Sequence, residues 1–482
     1  MRRVAVLTFL LLVTSASVPA QSAPDVAPFV AVKASTFVLA HVRVVDGTGA
    51  AAKEDQTVVV ANGKIQWIGP ASAAQPPAGA QVLDRSGYTV IPGLVGMHDH
   101  MYYTDSITPQ IATGRLEEPG LFVAEIAYTA PRLYLAAGVT TMRTTGSVEP
   151  YTDLKVKSRS DANLMVGPSM DATAPYLEGA PTRFAQMHEL KDAADAKRMV
   201  DYWAAEGMTS YKAYMNISRE ELGAAIQEAH ARKLKLTGHL CSVTWPEAIA
   251  LGIDDLEHGP VFADTEFVAD KKADVCPAGG TKSWAEMEIT GVQVSGLIRD
   301  LVSHHVAVTS TLPVFEASVP GRPKLQQRVL HALSAEAAQS YLTARGRVAL
   351  DSPMTALMRK EMDFEVAFAK AGGLLLAGPD PTGNGGVLPG FGDQREVELL
   401  VEAGFTPVQA IQIATENGAK YLGDDERIGT LAAGKQADLV LINGDPSKNI
   451  EDIEKVETVF KAGVGYDAAK LIDSVRGQVG IR

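Results

Sequence analysis

Eight short apolar runs separated by helical stretches fill the middle of this chain, and no other pattern in it restricts the fold so strongly. The runs are GLVGMH, VTTMRT, NLMVGP, TSYKAYM, KLTGHL, DDLEHG, VAVTST and LLLAGPD, spread from Gly93 to Asp380. Strand-length runs that alternate with helices are the mark of βα units, in which each strand returns through a helix to pair in parallel with its neighbour. Eight such units close a barrel. The intervening helices carry their own start signals: Ser218 with Glu221 forms a capping-box pair before LGAAIQEAHARK, and Thr406, Pro407 and Gln409 open VQAIQIATENGAKYL, with Gly423 as its stop. The interval from Gly321 to Gly373 is long for a single crossover and is expected to hold extra helices.

Both ends of the chain read differently. Residues 30–92 show FVLAHVRVV, QTVVV, IQWIG and GYTVI broken by the turn signals DGTG and ANGK, and residues 425–482 repeat the character in KQADLVLINGD and VETVFKAG. The expected organisation is a small β-sandwich composed from 30–92 and 425–482, around a (β/α)8 TIM barrel over 93–424. Residues 1–20 read as a secretory signal: Arg2-Arg3, the apolar stretch VAVLTFLLLV and the small-residue exit Val18-Pro19-Ala20. The expected location is therefore secreted or periplasmic. No later run reaches the roughly 20 uncharged apolar residues of a membrane span. The formal net charge of −13 argues against nucleic acid and anionic membranes as partners. Cys241 and Cys276 leave two readings open, one disulfide or two separate thiols.

In a closed parallel barrel, groups at the carboxyl ends of different strands converge on one mouth. Those ends carry His98 and His100 on the first strand, Lys212 on the fourth, His239 on the fifth, His258 on the sixth and Asp380 on the eighth. Four of only ten histidines fall at these places, which ordinary scatter explains poorly. His98 and His100 are two apart on a strand and so project the same way, close enough to share a cation, while Asp99 points elsewhere. Nitrogen and oxygen donors of this kind suit zinc, and the lysine is the odd member because an ammonium repels metal. A desolvated lysine sheds its proton readily, and the neutral amine can add carbon dioxide to become a carbamate, an anionic bridge between two metals. Asp380 can bind one metal and pass a proton from an attacking hydroxide to a leaving group. Tyr214 and Arg143 are candidate substrate-orienting groups.

The strings VIPGLVGMHDH, SYKAYM, GHL, LEHG, AGPD and IGTLAAGKQADLVLINGDP together resemble the amidohydrolase superfamily, in its binuclear branch with a carboxylated lysine. The resemblance implies one metal held by His98, His100, Lys212 and Asp380, and a second by Lys212, His239 and His258, with N6-carboxylated Lys212 as the bridge and zinc as the favoured ion. It is closest to the imidazolonepropionase-like and Xaa-Pro dipeptidase-like members. The implied reaction is hydrolysis of a small amide, a dipeptide or N-acyl amino acid, by a metal-bridging hydroxide with Asp380 as proton shuttle. Relatives of this kind often form homo-oligomers. The chain departs from many relatives in having Pro379 before Asp380, in lacking a histidine over 390–396, and in the bulky Met101-Tyr102-Tyr103 after the first strand. The same centre would also serve a lactone, carbamate or ester hydrolase. A deaminase fits less well, because Ser242 stands where such enzymes carry a glutamate, and an inert binding protein fits least, because all six ligands are kept.

Overall fold

The computed structural model describes residues 23–105, 122–182, 184, 186–383 and 386–480. The signal-like residues 1–20 lie outside the described residues. Eight parallel strands run in chain order: β1 (Leu94–Asp99), β2 (Val139–Thr144), β3 (Ser169–Asp171), β4 (Ser210–Ala213), β5 (Lys235–Gly238), β6 (Asp255–Glu257), β7 (Ala307–Ser310) and β8 (Leu375–Ala377). Neighbours pair in parallel from β1 to β3 and from β4 to β8. Parallel bridges Thr173 to Ser210 and Leu177 to Ala213 join the two groups. The ring closes where the Asp380 N–H donates to the His98 carbonyl at 3.1 Å. Closure is tight at Gly378, where any side chain would meet the His98 backbone nitrogen at 2.1 Å. The fold is therefore the expected (β/α)8 barrel, with a β-rich unit beside it.

Strand alternation sorts the residues of the barrel into two faces. Tyr211, Leu236, Leu256 and Val308 are buried outward against Ile226, Ile249 and Phe364 of the surrounding helices. Full burial of each such side chain contributes about 1.5–3 kcal/mol. Their sequence neighbours Lys212, Thr237, Asp255, Glu257 and Thr309 are also buried, but polar, and the last four bond to one another inside the ring. The third strand differs from the expected Asn163–Pro168. That run follows helix α1 (Pro150–Asp161) as a turn, with Asn163 in the left-handed region at φ 54°, and the strand begins only after Pro168. Its carbonyls are taken by side chains instead of a neighbouring strand: Gly167 accepts from Ser160 Oγ and Lys461 Nζ.

The predicted caps form. Ser218 and Glu221 bond reciprocally at the start of α2 (Arg219–Ala231), as do Thr406 and Gln409 before Pro407–Gln412, and Gly423 ends its helix at φ 71°. The long β7-to-β8 connection holds four helices, Leu312–Glu316, Gln327–Ala332, Ala335–Gly346 and α3 (Met354–Lys370), after which α4 (Phe391–Ala403) follows β8.

The chain ends build one nine-stranded sheet in which Leu439–Ile442 pairs antiparallel with Thr89–Pro92, so C-terminal strands sit beside N-terminal ones. Phe37 stacks on Phe460 at 4.7 Å between ring centroids, which fixes the two halves in one apolar core. Asn62-Gly63, both at positive φ, turns the hairpin between Lys53–Ala61 and Lys64–Pro70 as its sequence requires. Among the described residues no helix is long and apolar enough to cross a membrane.

Candidate metal centre

The six strand-end residues meet. His98 and His100, both buried, project from the end of β1 with ring centroids 5.2 Å apart, while Asp99 turns outward beside Asp393 of α4. Lys212 Nζ lies 3.2 Å from His98 Nε2. The His258 ring is 4.6 Å from that of His98 and 4.2 Å from that of His239. Asp380 Oδ1 is 3.1 Å from His100 Nε2 and 3.7 Å from His98 Nε2. His258 and Asp380 both take positive φ, 74° and 54°, a backbone cost that marks places where the surroundings dictate side-chain direction.

Hydrogen bonds on the far side of two of the imidazoles set their orientation. His98 Nδ1 pairs with Glu257 Oε2 at 2.6 Å, which turns Nε2 toward the centre. His258 Nδ1 pairs with Thr311 Oγ1 at 2.8 Å, and its Nε2 is buried with no protein partner. Such an outer bond fixes the tautomer and raises the ligand's basicity. One donor atom from each of His98, His258 and Asp380 lies within 4.8 Å of the others. Among the described residues no other histidine, cysteine or carboxylate group of three or more is so arranged.

The electrostatics suit ligation. Burial drives the His98 and His258 imidazoles well below their ordinary range and His239 to about 3, so all three are neutral with a lone pair free at neutral pH. Burial also lowers the Lys212 ammonium to about 8, within reach of the neutral amine. For Asp380 burial acts upward, but His98, His100 and Lys212 outweigh it and hold the carboxylate well below its usual range. The walls are aromatic. Tyr176 bonds Tyr102 through their hydroxyls at 2.6 Å and its ring lies 5.4 Å from Lys212 Nζ, while Phe315 stacks on Phe262 and edges His258 at 5.8 Å.

Tyr214 lies at the mouth, its ring 4.9 Å from His239. Arg143 does not face the mouth, contrary to expectation. Its guanidinium is 1% exposed and sits inside the barrel beneath the histidines, bonded to Asp255 at 2.7 Å, Glu257 at 2.8 Å and the Met97 carbonyl at 2.8 Å. It cannot touch substrate. It instead neutralises Asp255 and the Glu257 carboxylate that orients His98. Arg143→Met is expected to destabilise the fold by about 3–5 kcal/mol, because two buried carboxylates lose their cation. Urea unfolding followed by fluorescence measures this, and a loss under about 1 kcal/mol would reject the assigned role.

Sequence reasoning missed Glu257 as an orienting group. A signal existed: Asp255 and Glu257 share one strand face, and two acidic side chains pointing into a barrel demand a buried cation. Residues 390–396, which lack the histidine of many relatives, open α4 outside the barrel, where Glu396 accepts from Ser310 Oγ at 2.6 Å. Cys241 and Cys276 form a disulfide that ties the segment after β5 to the following loop.

Residues 386–465 match the amidohydrolase family. Over 416 residues the chain is 25% identical to a dihydroorotase of Pelotomaculum thermopropionicum, covering 83% of this chain and 87% of that one. It is likewise 25% identical over 438 residues to an imidazolonepropionase of Mycolicibacterium smegmatis, covering 86% and 89%. Among solved structures, a putative prolidase from Bifidobacterium longum superposes with TM-score 0.65 at 24% identity, covering 92% of this chain and 99% of that one.

Proposed function

We propose that this chain hydrolyses the amide bond of a dipeptide or N-acyl amino acid at a centre of two divalent cations, a reading supported by the match of residues 386–465 to the amidohydrolase family and by the fold. The observation that carries this reading is the meeting of neutral imidazoles, a strongly acidic carboxylate and a readily deprotonated lysine, brought from five different strand ends to one point. The donor set fits a metal pair: His258 Nε2 is buried without a protein partner, and Asp380 is one carboxylate among four imidazoles and Lys212. His98, His100 and Asp380 would hold one ion, His239 and His258 the other, and carboxylated Lys212 both, with zinc favoured by nitrogen-rich ligation. When bound, the ions supply a polarised carbonyl and a water acidic enough to attack at neutral pH.

The chain's own residues do the rest. Lys212, desolvated between the histidines and the Tyr176 ring, has the accessible neutral amine that carbamate formation needs. Asp380 stays a carboxylate down to low pH and stands beside His100, placed to accept the nucleophile's proton and return it to the leaving nitrogen. Glu257 keeps the His98 lone pair on the centre. The aromatic walls limit water and accept an apolar substrate side chain. The basic-then-apolar start of the chain makes export part of the same proposal.

The test is hydrolysis of panels of dipeptides and N-acyl amino acids, with dihydroorotate included because of the relatives above. At least one amide in the first two panels should be cleaved, the activity should vanish on dialysis against a chelator, and added zinc should restore it. Activity that survives chelation, or cleavage of dihydroorotate alone, would refute the proposal.

A further inference from the structure

A cavity of about 710 Å³ bordered by described residues lies outside the strand-end centre and includes none of its six residues. It is bordered by the β7-to-β8 connection around Gly321–Gln326, the first turns of α4 and the segment carrying Glu451 and Glu454. Its volume falls within the range of roughly 300–1,000 Å³ usual for small-molecule sites.

Charge decides what it can hold. Five carboxylates, Glu316, Glu398, Glu402, Glu451 and Glu454, line it against three cations, Arg322, Lys324 and Arg395. Both arginines are already committed: Arg322 to Glu316 at 2.7 Å and Glu402 at 2.6 Å, Arg395 to Glu316 at 2.7 Å and Glu398 at 2.6 Å. An anion would have to displace carboxylates from these pairs. Glu454 is likewise held by Arg328 at 2.6 Å, and Arg328 lies over the Phe391 ring at 4.5 Å, so the acceptor left for a cation is Glu398 Oε1. Glu398 has a side chain only 5% exposed, and its Oε1 is buried with no hydrogen-bond partner. Burial, with repulsion from Glu454, pushes this carboxyl up against the opposing pull of Arg395 and Arg328. The remaining wall is apolar, with Leu325, Val329, Val387 and Phe391.

We propose that this cavity is a second binding site, for a small organic cation that places an ammonium or guanidinium against Glu398 and lays its apolar stem along Val387 and Phe391. The site adjoins the catalytic elements. A side chain added at Gly392 would touch Pro379 at 2.7 Å, directly before Asp380, and Glu316 ends the short helix whose Phe315 edges His258. An occupant therefore packs close to Pro379 and to the helix that carries Phe315.

Isothermal titration of the full chain with agmatine, with cadaverine, and with glutarate as an anionic control tests the site. Agmatine or cadaverine should bind saturably, and Glu398→Gln should weaken binding by about tenfold or more through loss of a charged hydrogen bond. Leu325→Lys, at a wall position 44% exposed and so free of packing cost, should also weaken it by setting a tethered ammonium against the ligand. Absence of saturable binding for both cations at millimolar concentration, tighter binding of glutarate, or unchanged affinity in both variants would overturn the proposal.

Discussion

Asp380→Asn is expected to lower kcat for amide hydrolysis by about 10²–10⁴-fold, the range that a positioned general acid–base group contributes. The substitution is chosen because of the backbone. Asp380 sits at φ 54°, a region that asparagine enters readily and most other residues do not, so the variant keeps the local fold while removing charge and proton acceptance. Alanine would mix a chemical loss with backbone strain. Because the carboxylate is held well below its usual range by His98, His100 and Lys212, it is ionised across the neutral range, and the wild-type rate should not fall on its account until the pH is far into acid. Steady-state kinetics with a thermal melt checks both parts. A drop in kcat below about tenfold with an unchanged melt would contradict the assigned role.

The second large effect is at Lys212. Lys212→Arg keeps a positive charge and Lys212→Met keeps most of the apolar stem, yet neither can become a carbamate, so both should lose the second metal and nearly all activity. The fall in metal affinity should exceed the roughly 10–100-fold that follows loss of an outer hydrogen-bond partner. Stability should move little or rise in Lys212→Met, since an ammonium 1% exposed among imidazoles is costly without the metals and their bridge. If Lys212 instead serves as an ordinary cation for Glu257 and Asp380, arginine should retain metal and rate. Metal content by mass spectrometry beside kcat for both variants separates the two cases.

Much of this arrangement is legible from residue order, for an identifiable reason. Strand alternation decides which neighbours share a face, so His98 with His100 could be paired and Asp99 set aside from the sequence alone. Parallel closure then brings distant strand ends together without any contact being specified. What alternation does not carry is depth. Arg143 and Lys212 both point inward, but barrel stagger puts one among carboxylates below the centre and the other beside His98. The same limit hid Glu257, which lies one layer beneath the histidine it orients. The third strand lies later than its sequence predicts because Leu164-Met165-Val166 has strand-like apolarity, whereas Pro168 and the bonds to Ser160 and Lys461 keep 163–168 out of the sheet. The cavity beside α4 depends on how the long β7-to-β8 connection folds back, which periodicity within its helices does not specify.

Crystals of the full chain measured at the zinc absorption edge test the central claim most directly. Two anomalous peaks are predicted, one among His98, His100 and Asp380 and one between His239 and His258, with extra density on Lys212 Nζ joining them. A single peak, peaks away from these side chains, or an unmodified Lys212 lying between two occupied sites would contradict it.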